Sequence, residues 1–98
     1  MREKMKDGFI IDDYGTKFWY KNGKLHRVGG PAIECTNGTK HWFVNGEYHR
    51  LDGPASVWYD GYKHWWLYGK KYPESEYNSL VSNLPLLYWN RFKLGKWI

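Results

Sequence analysis

Cysteine is almost absent from this sequence, which has 98 residues and a single cysteine, Cys35. One cysteine excludes an internal disulfide framework. Long apolar runs are absent as well, so no stretch of the sequence is suited to span a membrane. The residues from Met1 to Asp7 are charged and lack the apolar core of a secretory signal. We therefore expect a cytoplasmic protein in a reducing environment.

Acidic residues are fewer than basic ones, 10 against 15, which gives a formal net charge of +5. Such an excess favours anionic partners, although in a short chain it more often serves solubility. Aromatic residues make up 20% of the chain and are spread among charged residues. This distribution is typical of flat sheets or binding faces. A chain of this length predicts a single domain over residues 1–98, with little room for a deep catalytic cleft.

A repeat of 23 residues runs through the chain, with glycines, tryptophans, lysines and His-Arg pairs recurring at that spacing. The recurring positions include Gly15, Gly38 and Gly61; Lys17, Lys40 and Lys63; Trp19, Trp42 and Trp65; and the pairs His26-Arg27 and His49-Arg50. The sequence therefore predicts three repeats over 7–29, 30–52 and 53–75, of which the first is a worn leading copy. A helical C-terminal cap is expected over 76–98.

Two turns that contain glycine divide each copy. Asn37–Gly38 and Asp60–Gly61 favour two-residue hairpin turns, and Tyr14–Gly15 is a weaker version. A second turn, at Asn22–Gly23 in the first copy, closes the outgoing strand. We therefore expect a mainly β fold, in which six main strands in sequence order form a single-layer antiparallel β-meander.

A two-residue turn also predicts the register of each hairpin. In the second copy it places Glu34 opposite His41 and Ile33 opposite Trp42. The three repeated tryptophans are expected to point to one face. Both faces would then be aromatic, so we expect a homodimer or a partner protein to cover one of them.

The residues after the last repeat predict a helical tail. Pro73–Glu76 places proline and acidic residues where a helix N-terminus favours them, and the helical pattern continues to Asn83. Pro85 opens a second amphipathic segment that Gly95 ends. We expect this tail to cap the open end of the sheet, and the alternative is a helix that binds a partner.

The segment Thr16–His26 is an aromatic strand followed by an Asn-Gly turn and a histidine. It resembles the MORN-repeat family, whose units have the same length and a similar order of aromatic residues, turn glycine and histidine. Where that family has His-Gly-x-Gly, this chain has His-Arg-x-x-Gly-Pro-Ala. That variant is similar to divergent MORN-like repeats in small uncharacterised proteins of tailed bacteriophages and large DNA viruses. The resemblance covers residues 7–75, and it implies a hairpin-repeat fold and a platform for protein contact, dimerisation or lipid binding.

The His-Arg pairs are candidate phosphate sites, because arginine offers a planar fork of donors and histidine a further donor. The favoured alternative is structural: the histidine bonds an adjacent turn and the arginine stacks on a neighbouring aromatic ring. Together with the aromatic columns, these pairs make up the candidate binding residues. They are Trp19, Trp42, Trp65, Trp66, Tyr20, Phe43, His26, Arg27, His49 and Arg50.

No metal, cofactor or catalytic site is expected. Equivalent histidines in successive hairpins lie on the order of 9 to 10 Å apart, whereas zinc ligands lie about 2 Å from the metal. Glu34 and His41 come nearest to an acid/base pair, but no nucleophile completes the site. The tryptophan column would suit stacked nucleic-acid bases, yet acidic residues are distributed through the same units.

We therefore expect a non-catalytic binding module, a phage accessory protein that binds and inhibits a host defence protein through an aromatic sheet face. It is expected to act in the host cytoplasm as a homo-oligomer, without membrane association. The alternative is a sponge that sequesters an anionic signalling nucleotide through arginine, histidine and tryptophan. A single-stranded nucleic-acid binder is less favoured.

Overall fold

The computed structural model describes residues 7–84, which form ten β-strands and one α-helix. All strand pairs are antiparallel. No helix in this part of the chain is long and apolar enough to cross a membrane. The elements are β1 (Gly8–Ile11), β2 (Lys17–Lys21), β3 (Lys24–Leu25), β4 (Ile33–Glu34), β5 (Lys40–His41), β6 (Phe43–Val44), β7 (Glu47–Tyr48), β8 (Ser56–Val57), β9 (Lys63–Leu67), β10 (Lys70–Tyr72) and α1 (Glu74–Ser82).

Eight strands form one sheet in the order β1-β2-β4-β5-β8-β9-β10, with β3 paired to β2. Strands β6 and β7 pair with each other as a separate hairpin. The six main strands of this sheet are adjacent in the same order as in the sequence. They are β1, β2, β4, β5, β8 and β9. The prediction of a mainly β, antiparallel meander with a short C-terminal helix is therefore confirmed.

The loops that join these six strands into hairpins contain three residues. In the second copy the Cys35 N–H donates to the Thr39 carbonyl at 2.9 Å, and the Gly38 N–H donates to the Cys35 carbonyl at 3.1 Å. Gly38 has a φ of +96°, whereas Asn37 is not among the residues with positive φ. This is the pattern of a type I turn followed by one left-handed glycine. The predicted two-residue turns at the first turn of each copy are therefore wrong.

Two-residue turns occur instead at the second turn of each copy. Asn45 and Gly46 have φ values of +52° and +81° and lie between the paired residues Val44 and Glu47. Two successive residues with positive φ define a type I′ turn, which favours Asn-Gly because these residues tolerate the left-handed region best. The third copy departs from this pattern, because a tyrosine, Tyr68, takes the asparagine position with a φ of +52°.

The extra loop residue shifts the register of each main hairpin by one. Ile33 lies opposite His41, and Glu34 lies opposite Lys40. The predicted pairs of Glu34 with His41 and of Ile33 with Trp42 are therefore wrong. A shift of one residue changes which side chains share a face of the sheet. Glu34 and His41 are therefore not opposed, and the candidate acid/base pair is not formed.

Two of the repeated tryptophans make equivalent backbone contacts. The Trp19 N–H donates to the Ala32 carbonyl at 2.9 Å, and the Trp42 N–H donates to the Ala55 carbonyl at 2.7 Å. The Ala32 N–H donates to the His41 carbonyl at 2.8 Å, and Ile33 also pairs with His41. Two residues opposite one is the arrangement of a β-bulge, which interrupts the register before Trp42. The expectation that all three tryptophans point to one face therefore stays a prediction.

The core of the described sheet is thin and partly polar. Ala32 and Ala55 are fully buried, and Leu51 is 1% exposed. Buried histidines lie among them, with His26 at 5% and His49 at 2% exposure. A single layer this thin leaves most aromatic side chains half-buried, and it uses histidine rings as core residues.

Helix α1 lies against β9, the strand before the last one in the sheet order. It begins after Pro73, within the predicted helical segment. The Tyr77 side chain is 2% exposed. Its hydroxyl donates to the Arg50 carbonyl and accepts from the Gly53 N–H at 3.3 Å. The predicted second amphipathic segment, 85–95, lies outside the described residues.

Candidate functional site

The histidine of each His-Arg pair is built into the backbone hydrogen bonding. His26 Nδ1 accepts from the Asn45 N–H at 3.0 Å, and His49 Nδ1 accepts from the Tyr68 N–H at 2.9 Å. Burial lowers the pKa of His26, with the charge of Lys21 as a second cause, and burial lowers the pKa of His49 to about 4. Each histidine therefore stays neutral at pH 7 and ties one copy to the type I′ turn of the next.

The arginine of each pair lies over the face of a repeated tryptophan. The Arg27 Cζ lies 3.7 Å from the ring centroid of Trp19, and the Arg50 Cζ lies 3.8 Å from that of Trp42. A guanidinium at this distance is attracted by the ring quadrupole. The two arginines therefore cover ring faces that would otherwise be open.

The residues after the arginine complete this arrangement. Arg50 Nη1 donates to the Pro54 carbonyl at 2.9 Å, and Arg50 Nε donates to the Asp52 carboxylate at 3.0 Å. Gly53 lies against the guanidinium, since a Cβ there would be 2.9 Å from the Arg50 Cζ. The proline and glycine contacts recur 23 residues earlier. The sequence His-Arg-x-x-Gly-Pro-Ala thus encodes one packing unit.

The arginine stacking is the contact that the structural alternative for the His-Arg pairs predicts. Each histidine, however, bonds the turn of the following copy and not the turn next to it in sequence. A cavity of about 190 Å³ has Arg27, Arg50 and Asp52 among its lining residues. The Glu34 carboxylate lies 3.5 Å from the Arg27 Nη1. Carboxylates thus offset part of the positive charge, and phosphate binding by these pairs stays a prediction.

Three further aromatic candidates, Tyr20, Phe43 and Trp66, pack against neighbouring rings. Tyr48 stacks between Phe43 and Trp66, with centroid distances of 4.3 Å and 4.7 Å. Tyr20 stacks with Phe18 at 6.5 Å. All the aromatic candidates are half-buried, namely Trp19, Trp42, Trp65, Trp66, Tyr20 and Phe43. Each therefore already has part of its surface covered within the chain.

A serine and a histidine that the sequence analysis did not connect lie in contact. The Ser56 Oγ is 3.1 Å from the His41 Nδ1, and the Tyr48 hydroxyl is 3.4 Å from the same nitrogen. Ser56 and His41 are both buried, and burial lowers the pKa of His41. A substrate carbonyl has no open route to a buried Oγ, so this contact serves packing. The His41 ring supports Trp58 edge-on, at a centroid distance of 4.9 Å.

Exposed aromatic side chains cluster at the loop between β8 and β9, which we name the aromatic loop (residues 58–62). Trp58 is 41% exposed, and Tyr59 and Tyr62 are each 68% exposed. Trp58, Asp60, Tyr62 and His64 line an open pocket of about 360 Å³. The loop offers three exposed rings and an aspartate to a binding partner.

The aromatic loop was not predicted from the sequence because its aromatic residues do not recur at the spacing of the repeat. The second copy has Cys35 where the third has Trp58, and Thr39 where the third has Tyr62. One signal was available in the sequence. Trp58 and Tyr62 are aromatic residues in one copy, at loop positions where the other copies have none. Such residues are not required by the repeat.

No protein-family model matches this chain, and comparisons with curated proteins and with solved structures found no match either. The geometry of the site itself therefore carries the functional argument.

Proposed function

We propose that this chain is a non-catalytic binding module that contacts another protein through the aromatic loop. The observation that supports this most is the exposure of Trp58, Tyr59 and Tyr62 within five residues. Tryptophan and tyrosine are enriched among the residues that contribute most to protein binding, because each buries a large area. His41 supports Trp58 from within the sheet, which reduces the ordering that binding requires.

The partner in this proposal is a host protein, and the chain is a phage accessory protein that inhibits a defence component. This part rests on the resemblance of the His-Arg-x-x-Gly-Pro-Ala repeats to MORN-like proteins of bacteriophages and large DNA viruses. The exposed aromatic loop is compatible with it, because a small inhibitor acts by occupying a surface of its target.

A second candidate function is the sequestration of an anionic nucleotide in the cavity between Arg27 and Arg50. The two arginines among its lining residues favour an anion. However, its volume of about 190 Å³ is below the usual range for small-molecule sites, roughly 300–1,000 Å³. Each guanidinium is also already bonded to a proline carbonyl. A thermal-shift panel of nucleotides tests this candidate, because a ligand at about 100 times its Kd stabilises by about 2.7 kcal/mol.

Binding of single-stranded nucleic acid is less favoured. Bases would need open ring faces on the tryptophan column. Arg27 already covers one face of Trp19, and Arg50 covers one face of Trp42.

We also propose that the chain forms a homodimer through β1. This strand is at one end of the sheet order, and Phe9, Ile10 and Ile11 are 47%, 36% and 53% exposed. An apolar edge strand tends to pair with a second copy. Light scattering should give twice the chain mass, and Ile11→Lys should give a monomer. A monomeric parent protein at high micromolar concentration would contradict this proposal.

Affinity capture from host lysate with matched variants tests the protein-binding function. The loop variant carries Tyr59→Thr and Tyr62→Thr, the residues that the second copy has at these positions. The control is Tyr14→Asn, which changes an 85% exposed tyrosine in another hairpin loop to the residue of the second copy. Mass spectrometry should find a protein captured by the parent and by the control but lost by the loop variant. Equal capture by all three would reject the aromatic loop as the contact surface.

A further inference from the structure

We propose that the pocket of the aromatic loop binds an arginine side chain of the partner, an inference that rests on the protein-binding function proposed above. The pocket is lined by Trp58, Asp60, Tyr62 and His64. It therefore combines aromatic rings with a carboxylate, which is the chemistry that recognises a guanidinium.

Strand pairing places the rings of this pocket on one face. The Trp58 N–H donates to the Tyr62 carbonyl at 2.8 Å, so these residues lie opposite each other. Ser56 pairs with His64, two residues further along both strands. Side chains two residues apart on a strand point to the same side. Trp58, Tyr62 and His64 therefore face one space.

The charges around the pocket complement a cation. Asp60 lies at the tip of the loop and is one of the residues that line the pocket. One oxygen of its carboxylate accepts the Tyr62 N–H at 3.3 Å, which leaves the other for a ligand. Lys63, the basic residue next to the pocket in sequence, alternates to the opposite face between Tyr62 and His64. The faces of the rings carry negative potential as well. The formal net charge of +5 opposes a cationic partner at long range, so the specificity of this site comes from contact.

The chain itself contains the proposed arrangement. The Arg50 guanidinium lies 3.8 Å over Trp42, and its Nε donates to Asp52 at 3.0 Å. Trp58 and Asp60 provide the same two groups, a ring face and a carboxylate, at an exposed loop. A planar guanidinium can stack flat on the ring while the donors at its edge bond the carboxylate, whereas a lysine ammonium has no planar face to stack.

The test is a titration of the ¹⁵N-labelled protein with N-acetyl-arginine N-methylamide, followed by NMR. The signals to follow are the Trp58 indole N–H and the backbone amides of residues 59–64. We expect saturable shifts with a Kd on the order of 10–100 mM, the range that one cation–π contact and one exposed ion pair support. The citrulline analogue has the same shape without the charge, and it should bind at least about fivefold more weakly.

Two variants connect the probe to the pocket. Asp60→Asn removes the charge and keeps the loop, because Asn37 Oδ1 accepts the Thr39 N–H at 3.0 Å as Asp60 Oδ1 accepts the Tyr62 N–H at 3.3 Å. This variant and Tyr62→Thr should each weaken arginine binding about threefold or more. The control Tyr14→Asn should leave it unchanged.

Linear shifts that never saturate, or equal affinity for the arginine and citrulline probes, would overturn the arginine inference. Equal affinity in the parent and in Asp60→Asn would overturn it as well. The proposed function fails separately, in the capture experiment, when a partner is retained by the loop variant. Capture that depends on the aromatic loop, together with no arginine binding, would leave protein binding standing and reject the arginine site alone.

Discussion

His49 Nδ1 accepts a hydrogen bond from the backbone N–H of Tyr68 at 2.9 Å, with the ring 2% exposed. The nitrogen that accepts this bond is a site of protonation, so the bond requires the neutral ring. Burial lowers the pKa of His49 from 6.5 to about 4. The contact between the second and third copies is therefore coupled to pH.

The first prediction is that the protein loses stability in acid. The pKa of His49 is lower in the folded chain than in the unfolded chain, so unfolding takes up a proton below pH 6.5. Stability is then complete above pH 6.5 and falls as the pH drops toward about 4. Since one pKa unit corresponds to about 1.4 kcal/mol, the loss from His49 amounts to about 3 kcal/mol. Urea denaturation at several values between pH 7 and pH 4 measures it.

The matched variant is His49→Asn, whose side-chain oxygen is also an acceptor but does not titrate. It should be less stable than the parent at pH 7, because it loses a buried ring. Its stability should depend less steeply on pH between 6.5 and 4, with the remaining slope coming from His26 and His41, whose pKa values burial also lowers. An unchanged slope would show that another group controls the acid response.

A second prediction concerns Gly53 and Arg50. A Cβ at position 53 would lie 2.9 Å from the Arg50 Cζ, so Gly53→Ala should displace the guanidinium from Trp42. We expect a loss of about 1 to 2 kcal/mol from the weakened stacking and hydrogen bonds. In an Arg50→Ala background the same substitution should cost about 1 kcal/mol less, since the clash is gone. Additive effects of the two substitutions in urea denaturation would contradict the packing unit.

The order of the strands was predictable from the sequence, but the register was not. The dipeptide Asn-Gly occurs at Asn37–Gly38 and at Asn45–Gly46, and locally it favours either a type I′ turn or a type I turn with a left-handed glycine. At the first site the Asn37 side chain accepts the Thr39 N–H. At the second, the Asn45 N–H donates to His26, which is distant in sequence. A local sequence pattern does not predict that tertiary contact, so it does not predict which of the two turns forms.

The site was predictable only in part. The stacking of Arg27 on Trp19 follows from recurrence, because Arg50 and Trp42 have the same spacing in the second copy and make the same contact. The aromatic loop could not be predicted in this way, since Trp58 and Tyr62 occur at their positions in one copy alone. Recurring residues are the ones that the fold requires, and the sequence reveals them. A binding site made of residues that do not recur can be located only once the structure shows which of them are exposed together.

A third prediction separates the two kinds of turn. Asn45 has a φ of +52°, so Asn45→Ala should cost about 1 kcal/mol through backbone strain. Asn45→Gly removes the same side chain and tolerates positive φ, so it should be more stable than the alanine variant. This reverses the usual order for a strand-rich region, where glycine is the weaker residue. Equal or greater stability of the alanine variant in thermal denaturation would contradict the type I′ turn.

The last prediction distinguishes tryptophans that fold the chain from the tryptophan that binds. Trp42 is half-buried, lies opposite Ala55 and supports the Arg50 guanidinium. Trp42→Ala should cost about 2 to 4 kcal/mol, somewhat below the usual cost for a fully buried tryptophan. Trp58 is 41% exposed, and Trp58→Ala should cost about 1 kcal/mol, mainly from its contact with His41. Urea denaturation followed by circular dichroism compares the two without relying on tryptophan emission. If Trp58→Ala were as destabilising as Trp42→Ala, the aromatic loop would belong to the core of the fold. That result would contradict its assignment as a binding surface.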